Sequence, residues 1–121
     1  MAPVTWREGY QTLLQASLQS PLLTGIEPLI LEAPVLKLRV HVGAYGFVEV
    51  FWNVETGKTS FALIRGERRV FGADNTRGWH LHPFDDPDRH VPCDAMSLES
   101  FLQQVDTHQA GGDQPQLPDP A

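Results

Sequence analysis

At 121 residues, with 41% apolar and 20% charged residues, the chain has room for one hydrophobic core and matches ordinary globular usage, which excludes a second domain and wholesale disorder. A formal net charge of -6 opposes any role driven by broad attraction to phosphate backbones, although local basic patches remain compatible with it. No apolar run approaches the roughly 18 residues that cross a bilayer, and MAPVTWREGYQTLL lacks the basic stretch and continuous apolar run of a secretory signal, so the expected location is the cytoplasm. The single cysteine, Cys93, has no internal disulfide partner and reads as structural rather than nucleophilic.

In chain order, Trp6, Tyr10, Leu13, Leu14 and Leu18 recur at helical spacing and Pro21 follows as a stop, which predicts an amphipathic helix over 5–19. Leu22 to Pro34 mixes apolar residues with Pro28, Pro34 and Gly25 and reads as an extended connection covering one edge or face, not a regular element. Val35 to Val42 alternates, with Leu36, Leu38, Val40 and Val42 facing one way and Lys37, Arg39 and His41 the other, so a half-buried strand is expected. Further strands are predicted over Phe47–Val54, Thr59–Ile64 and Arg68–Ala73, joined by turns at Gly43–Gly46, Asn53–Gly57 and Arg65-Gly66-Glu67 that force antiparallel neighbours.

After the turn formers Asp74-Asn75-Thr76-Arg77-Gly78, Trp79 to His82 reads as a short fifth strand, and the prolines and aspartates of Pro83–Pro92 argue against regular structure. Ser97 is the expected N-cap of a last helix carrying Leu98, Phe101, Leu102 and Val105 on one face. The expected fold is α+β: an antiparallel four- to five-stranded meander sheet with an N-terminal and a C-terminal helix packed on one face. One domain is expected over 1–108, with the Gly-, Gln- and Pro-rich 109–121 as a disordered tail.

Three of the five histidines, His80, His82 and His90, fall in one short segment with Asp74, Asn75, Asp85, Asp86 and Asp88. If Trp79–His82 is a strand, its period of two places His80 and His82 on one face, roughly 7 Å apart, with Trp79 and Leu81 on the other. One reading is a site for a divalent transition metal, with His80, His82 and His90 as ligands. A second is metal-free general acid–base catalysis on a phosphodiester, with Asp74 orienting an imidazole and Arg77 or Arg89 stabilising phosphoryl charge. A third uses Trp79, Phe84 and the arginines as a stacking surface for a nucleotide or single strand. Against these, Asp74-Asn75 is a common turn pair, and aspartates beside prolines often do no more than fix loops. Arg65, Arg68 and Arg69 form a basic hairpin end that reads more readily as a solvated, edge-protecting strand end than as a phosphate grip. His41 and His108 read as surface or capping residues.

The run RRVFGADNTRGWHLHPF from Arg68 to Phe84, followed by DDPDRHVPC and a closing helix that begins SLESFLQQV, resembles the TumE-type toxin family of prokaryotic toxin–antitoxin systems. The resemblance covers roughly Val35 to Val105 and is strongest from Arg68 to His90. It implies a cytoplasmic toxin neutralised by a small helix-turn-helix antitoxin, and it carries Asp74, Asn75, His80 and His82 over as the matching, catalytic positions. The chain departs from the family pattern at Gly78-Trp79, which stands where a basic Gly-Lys-Gly-like stretch is expected, so one basic group near the site is missing. The partners expected from this reading are the antitoxin, a nucleic-acid substrate and a second copy in a homodimer, with no membrane. The alternative, of a different class, is a non-catalytic module that sequesters a protein or ligand on the sheet face carrying Lys37, Arg39 and His41.

Overall fold

The computed structural model describes residues 4–109. Helix α1 (Trp6–Leu18) starts at a reciprocal cap in which the Thr5 hydroxyl accepts from the Glu8 amide and the Glu8 carboxylate accepts from the Thr5 amide. Its packing face centres on Gly9 and Leu13. A Cβ at Gly9 would lie 3.1 to 3.3 Å from Val54, Trp52 and Leu36, so the absent side chain lets the helix press closely on the sheet. The Trp6 indole N–H donates to the Val35 carbonyl at 2.9 Å and ties the helix start to the sheet.

The sheet is an antiparallel meander in sequential order: β1 (Gly25–Glu32), β2 (Val35–His41), β3 (Phe47–Asn53), β4 (Thr59–Arg65), β5 (Arg68–Asp74), β6 (His80–His82) and β7 (Val91–Pro92). Helix α2 (Leu98–Thr107) closes it, and the Ser97 hydroxyl accepts from the Ser100 amide as its N-cap. The α+β class, the meander and the two terminal helices therefore match expectation, but the sheet has seven strands rather than four or five.

Both extra strands lie where prolines argued against regular structure. Leu22–Pro34 is not an irregular connection, because Gly25–Glu32 pairs along β2 with a bulge between Pro28 and Ile30. An edge strand needs only one row of hydrogen bonds, which makes a proline tolerable there. At the other edge Val91 and Pro92 pair with Leu81 and His80, so the loop that leaves β6 returns to the sheet.

Alternation then sorts the side chains. Leu38, Val50, Phe61, Ala73 and Leu81 stand in one cross-strand row beneath the helices. Phe101 of α2 packs against Phe61 and Phe71 at ring separations of 5.4 and 4.8 Å. Phe84 continues this stack, 4.2 Å from Phe71 and 3.6 Å from His108 at the end of α2. The disordered tail expected over 109–121 does not begin at Gln109, which is buried after the last turn, and 110–121 lie outside the described residues. Among the described residues, no helix is long and apolar enough to cross a membrane.

Candidate metal centre

The register of β5 and β6 builds the site. Asp74 pairs with His80 and Gly72 with His82, while Ala73 and Leu81 between them face the core. Asp74, His80 and His82 therefore share the sheet face away from the helices, as the period of two requires. His90 comes from the loop between β6 and β7. The loop is pinned on the core side by the Phe84 stack and on the outer side by Arg69, whose Nη2 donates to the Pro87 carbonyl at 2.9 Å.

The three imidazoles are mutual neighbours. Ring centroids lie 5.0 Å apart for His80 and His82, 4.8 Å for His80 and His90, and 4.6 Å for His82 and His90. One ring nitrogen from each lies within 4.8 Å of the other two. A tetrahedral zinc with bonds of about 2.0–2.1 Å needs nitrogens about 3.3 Å apart, so closing the set takes a shortening of at most roughly 1.5 Å in each separation. His90, exposed and on a loop, is free to supply it.

Second partners decide which nitrogens are available. Asp74 Oδ2 lies 3.2 Å from His82 Nε2, and a proton on Nε2 donated to this carboxylate leaves the lone pair on Nδ1. That Nδ1 is buried and has no hydrogen-bond partner among the described residues. A buried ring nitrogen without a partner is costly unless something else satisfies it, and a cation would. His80 Nδ1 lies 3.1 Å from the Gly78 carbonyl, and donation there leaves Nε2, 3.4 Å from Asp74 Oδ1, as its free nitrogen. A carboxylate at His82 Nε2 and a backbone carbonyl at His80 Nδ1 each leave one ring nitrogen of the pair unprotonated, and partners of this kind orient imidazoles at metal sites. Three neutral imidazoles and a carboxylate suit zinc and its divalent neighbours better than calcium or magnesium.

The electrostatics favour the protonation states that ligation requires. Burial pushes His82 down from its ordinary value; the Asp74 hydrogen bond opposes this, and the charges of Arg69 and His90 push it down further. Burial by itself pushes the Asp74 carboxyl up, yet hydrogen bonds from the Thr76 amide and His82, with the nearby His80, outweigh it and hold the group below the usual carboxylate value. Cys93 is not brought into play: burial, with Asp94 and Asp74 nearby, pushes its thiol up and away from the reactive thiolate.

Arg69, Asp74, Arg77, His80, His82 and His90 border an open cleft of about 810 Å³, floored partly by Trp79. Other expected site residues lie elsewhere. Asn75 stays out of the cleft, because its side chain accepts from the Thr59 amide at 2.9 Å and donates to the Gly57 carbonyl at 2.8 Å, tying the Asp74–Gly78 turn to the start of β4. Arg89 is 3.8 Å from Asp85 in an exposed pair and is not among the cleft's lining residues. Trp79 and Phe84 both pack against the core, Trp79 at 6.3 Å from the Phe61 ring and Phe84 at 4.2 Å from the Phe71 ring, and of the two Trp79 borders the cleft, so they do not form the expected stacking surface. Asp85, Asp86 and Asp88 are exposed, with turns closed by Asp86 N–H to Pro83 and Arg89 N–H to Asp86.

Two contributors were not visible as such in the sequence. Gly72 is buried beneath the site, where a Cβ would stand 3.4 Å from His82 Cδ2 and 3.1 Å from Arg69 Cδ. The detectable signal was an isolated glycine inside a strand pattern, which marks a close approach or a bulge. Arg69, read as part of a solvated hairpin end, instead borders the cleft. Compared with family models, curated proteins and solved structures, the chain has no match in any of the three.

Proposed function

We propose that this protein is a toxin-like, metal-dependent hydrolase acting on phosphodiester bonds of nucleic acid, with His80, His82 and His90 holding one divalent transition-metal ion and Asp74 orienting His82. The observation that carries the metal is the convergence of three imidazoles on one face, with His82 Nδ1 buried and unpartnered. A cation held there would supply Lewis acidity toward a phosphoryl oxygen and toward water. Asp74, kept ionised by its hydrogen bonds, holds His82 in orientation, and Arg77 at the cleft rim adds positive charge where a phosphate would sit. The toxin assignment and the helix-turn-helix antitoxin partner rest on the resemblance of the Arg68–His90 run.

The alternative of a non-catalytic binding module using Lys37, Arg39 and His41 has less support. Arg39 is already engaged by Glu49 at 3.4 Å and lies 4.7 Å over the Phe47 ring, and His41 pairs with Glu27 at 3.0 Å. The test is elemental analysis of protein purified without a histidine tag, followed by RNA and DNA cleavage assays with the wild type and His80→Ala/His82→Ala. Stoichiometric zinc, nickel or manganese, and cleavage and growth inhibition lost in the folded double variant, are expected. Intact toxicity in that folded variant refutes the reading, and a stoichiometric protein partner with neither metal nor turnover favours the binding module.

A further inference from the structure

The strand β5 contains an irregularity whose position points at the site. Leu63 pairs with Phe71 and Ile64 with Arg69, so Val70 is an extra residue opposite no partner of its own. In a regular strand Arg69 would share the face of Phe71 and Ala73, which is the buried core face. The bulge reverses this: Val70 packs with the core, and Arg69 joins Gly72 and Asp74 on the outer face. Gly72 then leaves the space that Arg69 uses, because Arg69 Cδ and His82 Cδ2 both lie over the point where a Cβ would be, at 3.1 and 3.4 Å. A bulge and a glycine together place a guanidinium beside His82, where a solvated strand end would need neither.

Arg69 has no carboxylate partner among the described residues. Arg69 Nη2 donates to the Pro87 carbonyl, while a guanidinium has five N–H donors in a planar fork suited to a tetrahedral oxyanion. Arg77 borders the same cleft, also with no ion pair among the described residues.

We infer that Arg69 is a phosphate-binding residue, turned into the cleft by the Val70 bulge to hold a phosphoryl oxyanion against the ion bound by His80, His82 and His90. The inference rests on the metal centre proposed above. It assigns the cleft to phosphoryl groups through a residue other than Arg89, and it gives the chain a basic group where the Gly78-Trp79 segment lacks one.

The test uses the full chain loaded with Co(II), whose visible spectrum reports the first coordination shell, titrated with inorganic phosphate at constant ionic strength. The wild type is expected to give a saturable spectral change. Arg69→Gln also loses the Pro87 contact, so it is expected to need more Co(II) to fill the site but, once loaded, to show the same spectrum without phosphate and to bind phosphate about tenfold more weakly or worse, with Arg69→Lys between the two. If Arg69 served only to anchor the loop through Pro87, Arg69→Gln would loosen Co(II) and leave the phosphate affinity of the loaded protein unchanged, which overturns the inference while the metal centre stands. Equal responses to acetate and phosphate overturn the phosphoryl assignment. Failure of the wild type to bind Co(II) removes the metal centre and this inference with it.

Discussion

His90→Ala separates the metal centre from the stability of the fold, because His90 is exposed and contributes to the site only through its ring contacts with His80 and His82. Without metal, truncating an exposed side chain changes stability by about 0.5 kcal/mol or less, and the loop stays pinned by the Phe84 stack and by Arg69 on Pro87. With metal, the variant loses one of three ligands, and even outer-shell changes at metal sites weaken binding by about 10–100-fold. At free metal about 100 times Kd the wild type gains about 2.7 kcal/mol, and a hundredfold loss of affinity leaves about 0.4 kcal/mol. The difference of about 2.3 kcal/mol corresponds to roughly 10 °C in Tm for a domain of this size. Calorimetry of tag-free protein, first in chelator and then with zinc, should show matching Tm values for wild type and variant in chelator, and a zinc-induced rise roughly 10 °C larger in the wild type than in the variant. An equal rise in His90→Ala would refute the three-histidine centre.

Asn75→Ala should destabilise the chain by about 1–2 kcal/mol in urea unfolding, since it removes the side-chain bonds to Thr59 and Gly57, while zinc affinity stays at the wild-type value. Phe84→Ala should cost about 1–2 kcal/mol, less than a fully buried phenylalanine because Phe84 is half-buried, and should also weaken zinc binding by freeing the loop that carries His90. In chelator-treated protein, His82 is held below its ordinary value of 6.5, so the unfolded chain takes up the proton first and stability falls as pH drops below about 6.5. Asp74, held below 3.8, adds a second loss of the same sign at lower pH, where its carboxyl protonates in the unfolded chain first. Urea midpoints from pH 7.5 to 5 should show the first loss in the wild type and a flatter profile in His82→Gln; parallel profiles would refute it.

The parts of the fold legible in the sequence are those governed by local periodicity. Alternation in Leu36–Val42 and helical spacing in Leu98, Phe101, Leu102 and Val105 fixed which faces are buried, because a strand or helix exposes its pattern within a few residues. The same rule placed His80 and His82 on one side of a short strand. The edge strands were not legible, since Pro28 and Pro92 argue against strand structure locally, and only the pairing partner decides whether a missing N–H matters.

The sequence by itself determined an α+β meander between two helices and a histidine pair behind an Asp-Asn turn. Tertiary structure decided which neighbours complete the site. It brought His90 back through a loop pinned at Phe84 and Pro87, spent the Asn75 side chain on Thr59 and Gly57, and sent Arg89 to Asp85. It also turned Arg69 to the outer face through a one-residue bulge. A bulge reverses the facing of every residue beyond it, and the strand pairing that creates it joins residues in different segments, so no periodicity read along one strand could contain it.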